Sequence, residues 1–283
     1  MEHGPGADAL SAGADTLKQV SVQRCRDGVV SAGQDWLAVE LPIGLEYNGI
    51  SHAVMLASPA DLEDFALGFS LSEGIIANSS ELYGCEVELR EEGMLVHVEI
   101  ASERFTALKQ RRRNLAGRTG CGLCGTEALE QVARELAPVV GAQPIAPSVL
   151  VAGMRAMQMR QPLQQHSGAT HAAAWIDAHG QVTGVREDVG RHNALDKLIG
   201  ALAHQKTDFS RGALLLTSRA SYEMVQKAAT MGIGTIAAIS APTSFAVGLA
   251  ECYGVALIGF MRDTSYVVYA HAERFNAAQV VVS

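Results

Sequence analysis

The sequence predicts an α/β protein with a three-layer core, preceded by antiparallel strands and a mobile cysteine loop. Three observations carry this reading. From Gly168 onward, short continuous apolar runs alternate with helical patterns, as strands buried on both faces do. Before that point two hairpin signals stand out, Asn48-Gly49 and Glu92-Gly93. The chain has 283 residues, 48% hydrophobic and 18% charged, which supplies core for one large domain or two modest ones.

Residues 1–20 are rich in Gly, Ala, Asp and Ser and read as a disordered lead-in. They lack the positive n-region and apolar core of a signal peptide. Residues 21–160 form an N-terminal region with β-hairpins, a helix and the cysteine loop, and 161–283 form an α/β ligand-binding core. In the first region, 36–47 and 50–57 read as strands joined at Asn48-Gly49. Ser58-Pro59-Ala60-Asp61 then opens a helix, with a hydroxyl cap and Pro at the first helical position. Its buried face is Leu62, Phe65, Ala66 and Phe69, and Gly74 marks its end. Strands at 85–90 and 94–100 follow, then the cysteine loop, a helix at 126–138 and another at 148–161.

In the core, 172–176, 181–186, 213–217, 235–239 and 255–260 read as strands. Helices fall at 191–203, 221–231 and 243–253, and this alternation implies parallel pairing. Composition narrows the function classes. Net charge is −8, from 22 basic and 30 acidic residues, which argues against nucleic acid as the main partner. No run approaches the roughly 20 apolar residues that span a bilayer. Five cysteines, an odd number, argue against a secreted disulfide framework, so cytoplasm is the default.

The sharpest chemical signal is Gly120-Cys121-Gly122-Leu123-Cys124-Gly125. Glycine on both sides of Cys121 and after Cys124 leaves the backbone free and the sulfurs accessible. Lys109, the run Arg111-Arg112-Arg113 and Arg118 favour thiolate, the reactive species. The partial positive charge of a following helix N-terminus acts the same way. A run of arginines is also what a solvated helix face presents. The other cysteines carry little: Cys252 lies on an apolar stripe, Cys85 in a strand, and Cys25 has no assignable role.

A second signal lies at the carboxyl ends of the core strands, where open α/β sheets bind ligands. Those ends read Glu187-Asp188-Val189-Gly190-Arg191-His192-Asn193, Thr217-Ser218-Arg219, Ser240-Ala241-Pro242-Thr243-Ser244 and the stretch from Gly259 to Ser265. Hydroxyls and arginines there suit a nucleotide-like ligand, although Ser and Thr also cap helices at such places. Asp188 or Asp263 suits a guanine amino edge. His166 and His171 with Cys121 and Cys124 offer zinc ligand types, but some 40 residues separate the pairs, against the 12 to 20 usual for structural zinc.

These strings together resemble the FdhD family of formate dehydrogenase accessory sulfurtransferases. The resemblance rests on Phe65-Ala66-Leu67-Gly68-Phe69 through Glu73-Gly74-Ile75-Ile76, the Cys121–Cys124 loop, and Glu187 through Lys197. Thr217-Ser218-Arg219 with Glu223, residues 240–244 and Gly259-Phe260 complete it. The resemblance implies a cytidine-deaminase-like core with a mixed sheet, and a homodimer. It implies a carrier that takes persulfide sulfur from a cysteine desulfurase onto Cys121, with Cys124 sharing or discharging the load. The sulfur then passes to the molybdenum cofactor in its bis-molybdopterin guanine dinucleotide form, before that cofactor enters formate dehydrogenase. Phe260, Met261, Arg262, Asp263, Thr264 and Ser265 are implied to hold its guanine-nucleotide end, with GDP as an analogue. The deaminase metal string His-x-Glu reads His171-Ala172-Ala173 here, so no metal is expected. A thiol–disulfide oxidoreductase and a purely non-catalytic cofactor chaperone are the rival classes.

Overall fold

The computed structural model describes residues 15–116, 134–262 and 265–276. Strands β1 (Leu17–Arg26) and β2 (Val29–Ala38) form a two-stranded antiparallel ribbon. Its tight turn puts Asp27 and Gly28 at positive φ, the mirror-image geometry that matches strand twist. β1 therefore begins inside the stretch expected to be a lead-in. The strand expected over 36–47 is two strands, broken after Ala38 where Val39 N–H turns back to the Thr16 carbonyl at 2.9 Å.

β3 (Leu41–Tyr47), β4 (Ile50–Ala57), β5 (Leu82–Arg90) and β6 (Gly93–Ile100) make a second sheet in the order β4-β3-β6-β5. Asn48-Gly49 closes the β3–β4 hairpin with both residues at positive φ, as its sequence demands. Ile43, Leu45 and Tyr47 alternate inward beside Met94, Val96 and Val98 of the parallel neighbour β6. Helix α1 (Leu62–Ser72) follows, but Ser58 does not cap it. Asp61, with φ of 53°, precedes the helix without a side-chain cap, and Ser58 is used elsewhere. Helix α2 (Ser102–Ala116) carries the arginine run, a stretch to which the sequence analysis assigns no element.

Residues 134–138, the described part of the helix expected over 126–138, hold no helix. Helices α3 (Pro147–Gln158) and α4 (Pro162–Ser167) each start on a proline, whose fixed φ suits the first turn. Strands β7 (His171–Asp177), β8 (Val182–Asp188), β9 (Gly212–Leu216), β10 (Thr235–Ala238), β11 (Ala256–Arg262) and β12 (Ser265–Ala270) build the main sheet, ordered β12-β11-β10-β9-β7-β8. Only β9, β10 and β11 run parallel to one another; β7, β8 and β12 are antiparallel to their neighbours. The sheet is thus mixed rather than uniformly parallel. Helices α5 (Arg191–His204), α6 (Tyr222–Thr230), α7 (Ser244–Tyr253) and α8 (Glu273–Asn276) complete the described chain.

The central strands of this sheet are buried on both faces, and alternate residues serve different cores. Leu214, Leu216, Ile236 and Leu257 join the larger core around α1, α5, α6 and α7. Ala213, Leu215, Ala237 and Ile258 join a smaller core with Leu150, Met154 and Met157 of α3. That explains the unbroken apolar runs in the sequence. Between the two sheets α1 crosses α5 with almost no side-chain layer: a Cβ on Gly68 would sit 1.7 Å from the Asp196 carbonyl oxygen. One on Gly200 would sit 1.9 Å from that of Asp64. No described helix is long and apolar enough to cross a membrane.

Candidate functional site

The carboxyl ends of β9 and β10 open onto a cavity of about 600 Å³. Gln158 of α3, Gln161 at the junction and Gln164 of α4 line it together with His171, Thr217 and Ile239. A smaller cavity of about 180 Å³ adjoins, sharing Gln158 and lined also by Arg155, Met261 and Arg262. The polar strand ends therefore gather on one edge, as the sequence suggested. Several are already occupied, however. Thr217 Oγ1 accepts from Ala172 N–H at 2.8 Å, and Thr243 Oγ1 caps α7 through Ala246 N–H at 3.3 Å.

The 260–265 stretch is irregular. Phe260 has φ of 52° within a β-bulge, a conformation non-glycine residues adopt at a cost of about 1–3 kcal/mol and which concentrates at functional sites. Its ring stays 44% exposed. Gly259 lets this bend pass beneath Pro242, since a Cβ there would meet Pro242 Cδ at 2.9 Å. Met261 is turned inward into the smaller core. Arg262 is exposed at the cavity rim, and Ser265 Oγ–H donates to its carbonyl at 3.1 Å. Asp263 and Thr264 lie outside the described residues.

The string from Glu187 to Lys197 is chiefly a structural staple. Asp188 is wholly buried: Oδ2 contacts Lys197 Nζ at 2.6 Å and accepts from Ser58 N–H, while Oδ1 accepts from Gly190 N–H and Asn193 Nδ2. Lys197 Nζ also donates to the Ser58 carbonyl at 2.8 Å. The staple joins the end of β8 to the loop before α1, and Asp188 has no face left for guanine. Glu187 accepts from the N–H groups of Leu163 and Gln164 at the start of α4. A carboxylate there satisfies orphan donors.

A buried ladder of charge links α1, α5 and α6, and sequence reasoning missed it. Lys227 Nζ donates to both oxygens of Asp196 at 2.9 Å and to Ser72 Oγ, and pairs with Glu73 at 2.8 Å. Burial alone would lower the Lys227 ammonium, but Asp196 and Glu73 outweigh it and raise it. Burial pushes the Asp196 carboxyl upward too, against the pull of Lys227. The two shifts compete for one proton. With three carboxylate oxygens around a single ammonium, the proton stays on Lys227. Glu73 also bonds Arg134, and despite burial Lys227 and Arg134 hold its carboxyl below the usual range. Arg134 N–H donates to Gln226 at 2.9 Å, so the chain leaving the cysteine stretch is fixed to α6.

His192 Nε2 stands 2.6 Å from Glu223 Oε2, a charge contact without good hydrogen-bond alignment. Burial, together with Arg191 and Lys227, keeps the imidazole below its ordinary range although Glu223 opposes them. His171 starts β7 as expected, and burial and Arg191 lower it as well. His166 lies on the surface with Nδ1 2.7 Å from the Pro162 carbonyl. Cys121 and Cys124 lie outside the described residues. Cys252, expected in the core, is exposed, because the buried stripe of α7 runs through Ala246, Leu249, Ala250 and Tyr253. Burial pushes the Cys85 thiol up to about 12, with Glu63 adding to it. Among the described residues no three His, Cys, Asp or Glu side chains are grouped to hold a metal.

Comparison with known proteins gives the chain its kin. The chain is 59% identical over 261 residues to the sulfur carrier protein FdhD of Cupriavidus necator, covering 92% of this chain and 91% of that one. It is 55% identical over 258 residues to the protein of the same name from Bordetella petrii, covering 90% and 93%. A solved structure described as a formate dehydrogenase accessory protein from Desulfotalea psychrophila matches with a TM-score of 0.71. It covers 92% of this chain and 99% of its own, and at 22% identity it speaks to fold alone. The model of the FdhD/NarQ family matches residues 38–276. With that span and those relatives, the chain belongs to the FdhD/NarQ family.

Proposed function

We propose that this protein is a sulfur carrier in the maturation of formate dehydrogenase, with Cys121 as the carrying atom. The observation that carries the reading is kinship at 59% identity across nine-tenths of the chain to a protein named sulfur carrier. Chemistry within the chain supports the choice of cysteine. A carrier needs an accessible thiolate, and Cys85, with its thiol near 12, is not one. The pair Cys121 and Cys124, set among glycines and following an arginine run, has the sequence setting that favours one.

The transfer balances simply. The Cys121 thiolate attacks the outer sulfur of a persulfide on a cytoplasmic cysteine desulfurase. The donor's S–S bond breaks, the donor cysteine leaves as thiolate, and Cys121 becomes the persulfide. The outer sulfur then passes to the molybdenum cofactor, bis-molybdopterin guanine dinucleotide, as substrate. Cys124 either shares the load or discharges the carrier. In discharge its thiolate attacks the inner sulfur of the Cys121 persulfide, that S–S bond breaks, and a Cys121–Cys124 disulfide forms. The outer sulfur leaves as sulfide for the cofactor, and a cellular dithiol then reduces the disulfide. Phe260, Arg262 and Ser265, with Asp263 and Thr264, take the guanine-nucleotide end, and Met261 anchors that stretch from within the core. In this reading the three-layer core is of the cytidine-deaminase kind and two copies form the working dimer.

Cys121→Ala tests the proposal. The variant folds and binds GDP as the parent does, gains no sulfur adduct by mass spectrometry after incubation with desulfurase and cysteine, and fails to activate formate dehydrogenase. Full activation by this variant refutes the assignment.

A further inference from the structure

We infer that the adjoining starts of α5 and α6 form a binding site for one small monovalent anion, hydrosulfide in the reaction proposed above. The site rests on geometry and charge; the identity of the anion rests on the sulfur-carrier reading.

Two contacts hold these helix starts together. His192 Nε2 lies 2.6 Å from Glu223 Oε2, and one turn further along both helices Asp196 meets Lys227 at 2.9 Å. Neither helix is capped by a side chain. Gly190 precedes α5, and Ser221 stands at the cap position of α6 without using its hydroxyl there. Thr243 shows the ordinary alternative, its Oγ1 accepting from Ala246 N–H in the first turn of α7. Within two residues of the His192–Glu223 contact, Ser221 Oγ and Arg191 Nε are both buried with no hydrogen-bond partner among the described residues. Ser221 as a whole is only 6% exposed. A donor withdrawn from water without a partner bears its full desolvation cost, and folded proteins rarely leave one so. Two such donors beside two uncapped helix starts mark a place for an acceptor that the chain does not supply.

Charge decides what that acceptor is. Each helix start carries roughly +0.5 of an elementary charge, and at 14 and 9 residues both helices are long enough to develop it. The Arg191 guanidinium is offset by Glu223, and burial holds the His192 imidazole below its ordinary range, so it adds no charge near neutrality. The balance is about one positive charge, which one negative charge neutralises. A phosphate group, at about −1.5 to −2 near neutral pH, overshoots it and meets the Glu223 carboxylate. Both donors lie below the surface, which favours an ion of one or two heavy atoms.

The path of the chain supplies the candidate. Where it leaves the cysteine stretch, Arg134 N–H donates to Gln226 at 2.9 Å, three residues along α6 from Glu223. Discharge of a persulfide by a second thiol yields sulfide, much of which is hydrosulfide near neutral pH, a monovalent ion about the size of chloride. Hydroxyl, guanidinium and backbone N–H groups hold such an ion by hydrogen bonds alone, so no covalent bond forms or breaks in binding it. Sulfide held there is kept from diffusing away until its acceptor is in place.

The test uses the full chain, fully reduced and free of oxygen, so that hydrosulfide has no disulfide to attack. Sodium hydrosulfide is titrated at constant ionic strength beside sodium chloride and sodium phosphate. Binding is read from the melting temperature and from the NMR signals of the arginine Nε–H groups. The wild-type chain melts higher with hydrosulfide than with either comparator, and the one Nε–H signal that Arg191→Lys removes moves with it. Ser221→Ala, which deletes a hydroxyl that caps nothing, weakens hydrosulfide by about tenfold, and Arg191→Lys does so by at least as much. Chloride bound as tightly as hydrosulfide, phosphate bound more tightly, or variants that bind like the wild type each overturn the inference. So does a wild-type chain that no anion affects. The sulfur adduct on Cys121 is measured separately. Loading without hydrosulfide binding removes this site and leaves the carrier reading, and hydrosulfide binding without loading leaves the site and removes the carrier reading.

Discussion

Lys227 and Asp196 face each other from adjacent helices, the ammonium shared evenly between both carboxylate oxygens at 2.9 Å in a setting almost without water. Removing one member of such a pair leaves the other charged and stranded, at about 3–5 kcal/mol, whereas replacing both with apolar groups is far milder. Lys227→Met should therefore lower the denaturant midpoint severely. Lys227→Met with Asp196→Leu should recover most of the loss. A single variant as stable as the parent would contradict the ladder.

Glycine positions offer a paired contrast. Gly68→Ala drives a methyl to 1.7 Å from the Asp196 carbonyl oxygen, a backbone atom that cannot swing aside. We expect a loss at or beyond the upper end of the 1–3 kcal/mol typical of overpacking. Gly248→Ala, on the exposed side of α7 with nothing within 4 Å, should instead stabilise by up to about 1 kcal/mol through helix propensity. Urea unfolding of the two variants side by side decides it.

Acid sensitivity should have two windows. His192 and His171 are held below the ordinary imidazole range, so the unfolded chain binds protons there that the folded chain refuses. Their stabilising contribution is complete above about pH 6.5 and falls as pH drops toward their lowered values. Glu73 is lowered in the carboxylate range, and its contribution is lost only below about pH 4.5. His192→Gln should make the upper window shallower, with His171 keeping its share, and leave the lower one, as measured by denaturant midpoints from about pH 2 to 8. An unchanged slope between about pH 5 and 6.5 would count against the histidine assignment.

Phe260→Gly separates strain from recognition. Glycine occupies φ of 52° without the steric cost a phenylalanine bears, so the variant should keep or slightly raise the melting temperature. Its GDP affinity should fall, since the half-exposed ring is lost as a stacking surface. A drop in stability with unchanged GDP binding would reverse this assignment.

Much of the core was legible because its strands are short, apolar and separated by helical spacing. Boundaries for β7 to β11 and α5 to α7 came within a few residues, and Asn48-Gly49 announced its hairpin through backbone geometry alone. The pairing direction was not legible: runs such as Ala172 to Ile176 are apolar on both faces whether the neighbour is parallel or antiparallel. Nor was the use of Ser58, whose capping signature was overridden by tertiary bonds to Asp188 and Lys197, 130 or more residues away. Lys227 and Asp196 gave no sign of being a pair, since only folding brings them together. For the cavity, Gln161 and Gln164 gave no signal at all, because glutamines near prolines are commonplace in loops.

The crossing of α1 over α5 has a mechanical consequence. Side chains normally cushion two helices, and small slides are absorbed by changes of rotamer. At Gly68 and Gly200 that cushion is missing, and backbone rests on backbone. The pair acts as a rigid hub, so whatever adjusts when cargo arrives or leaves must do so at the rim.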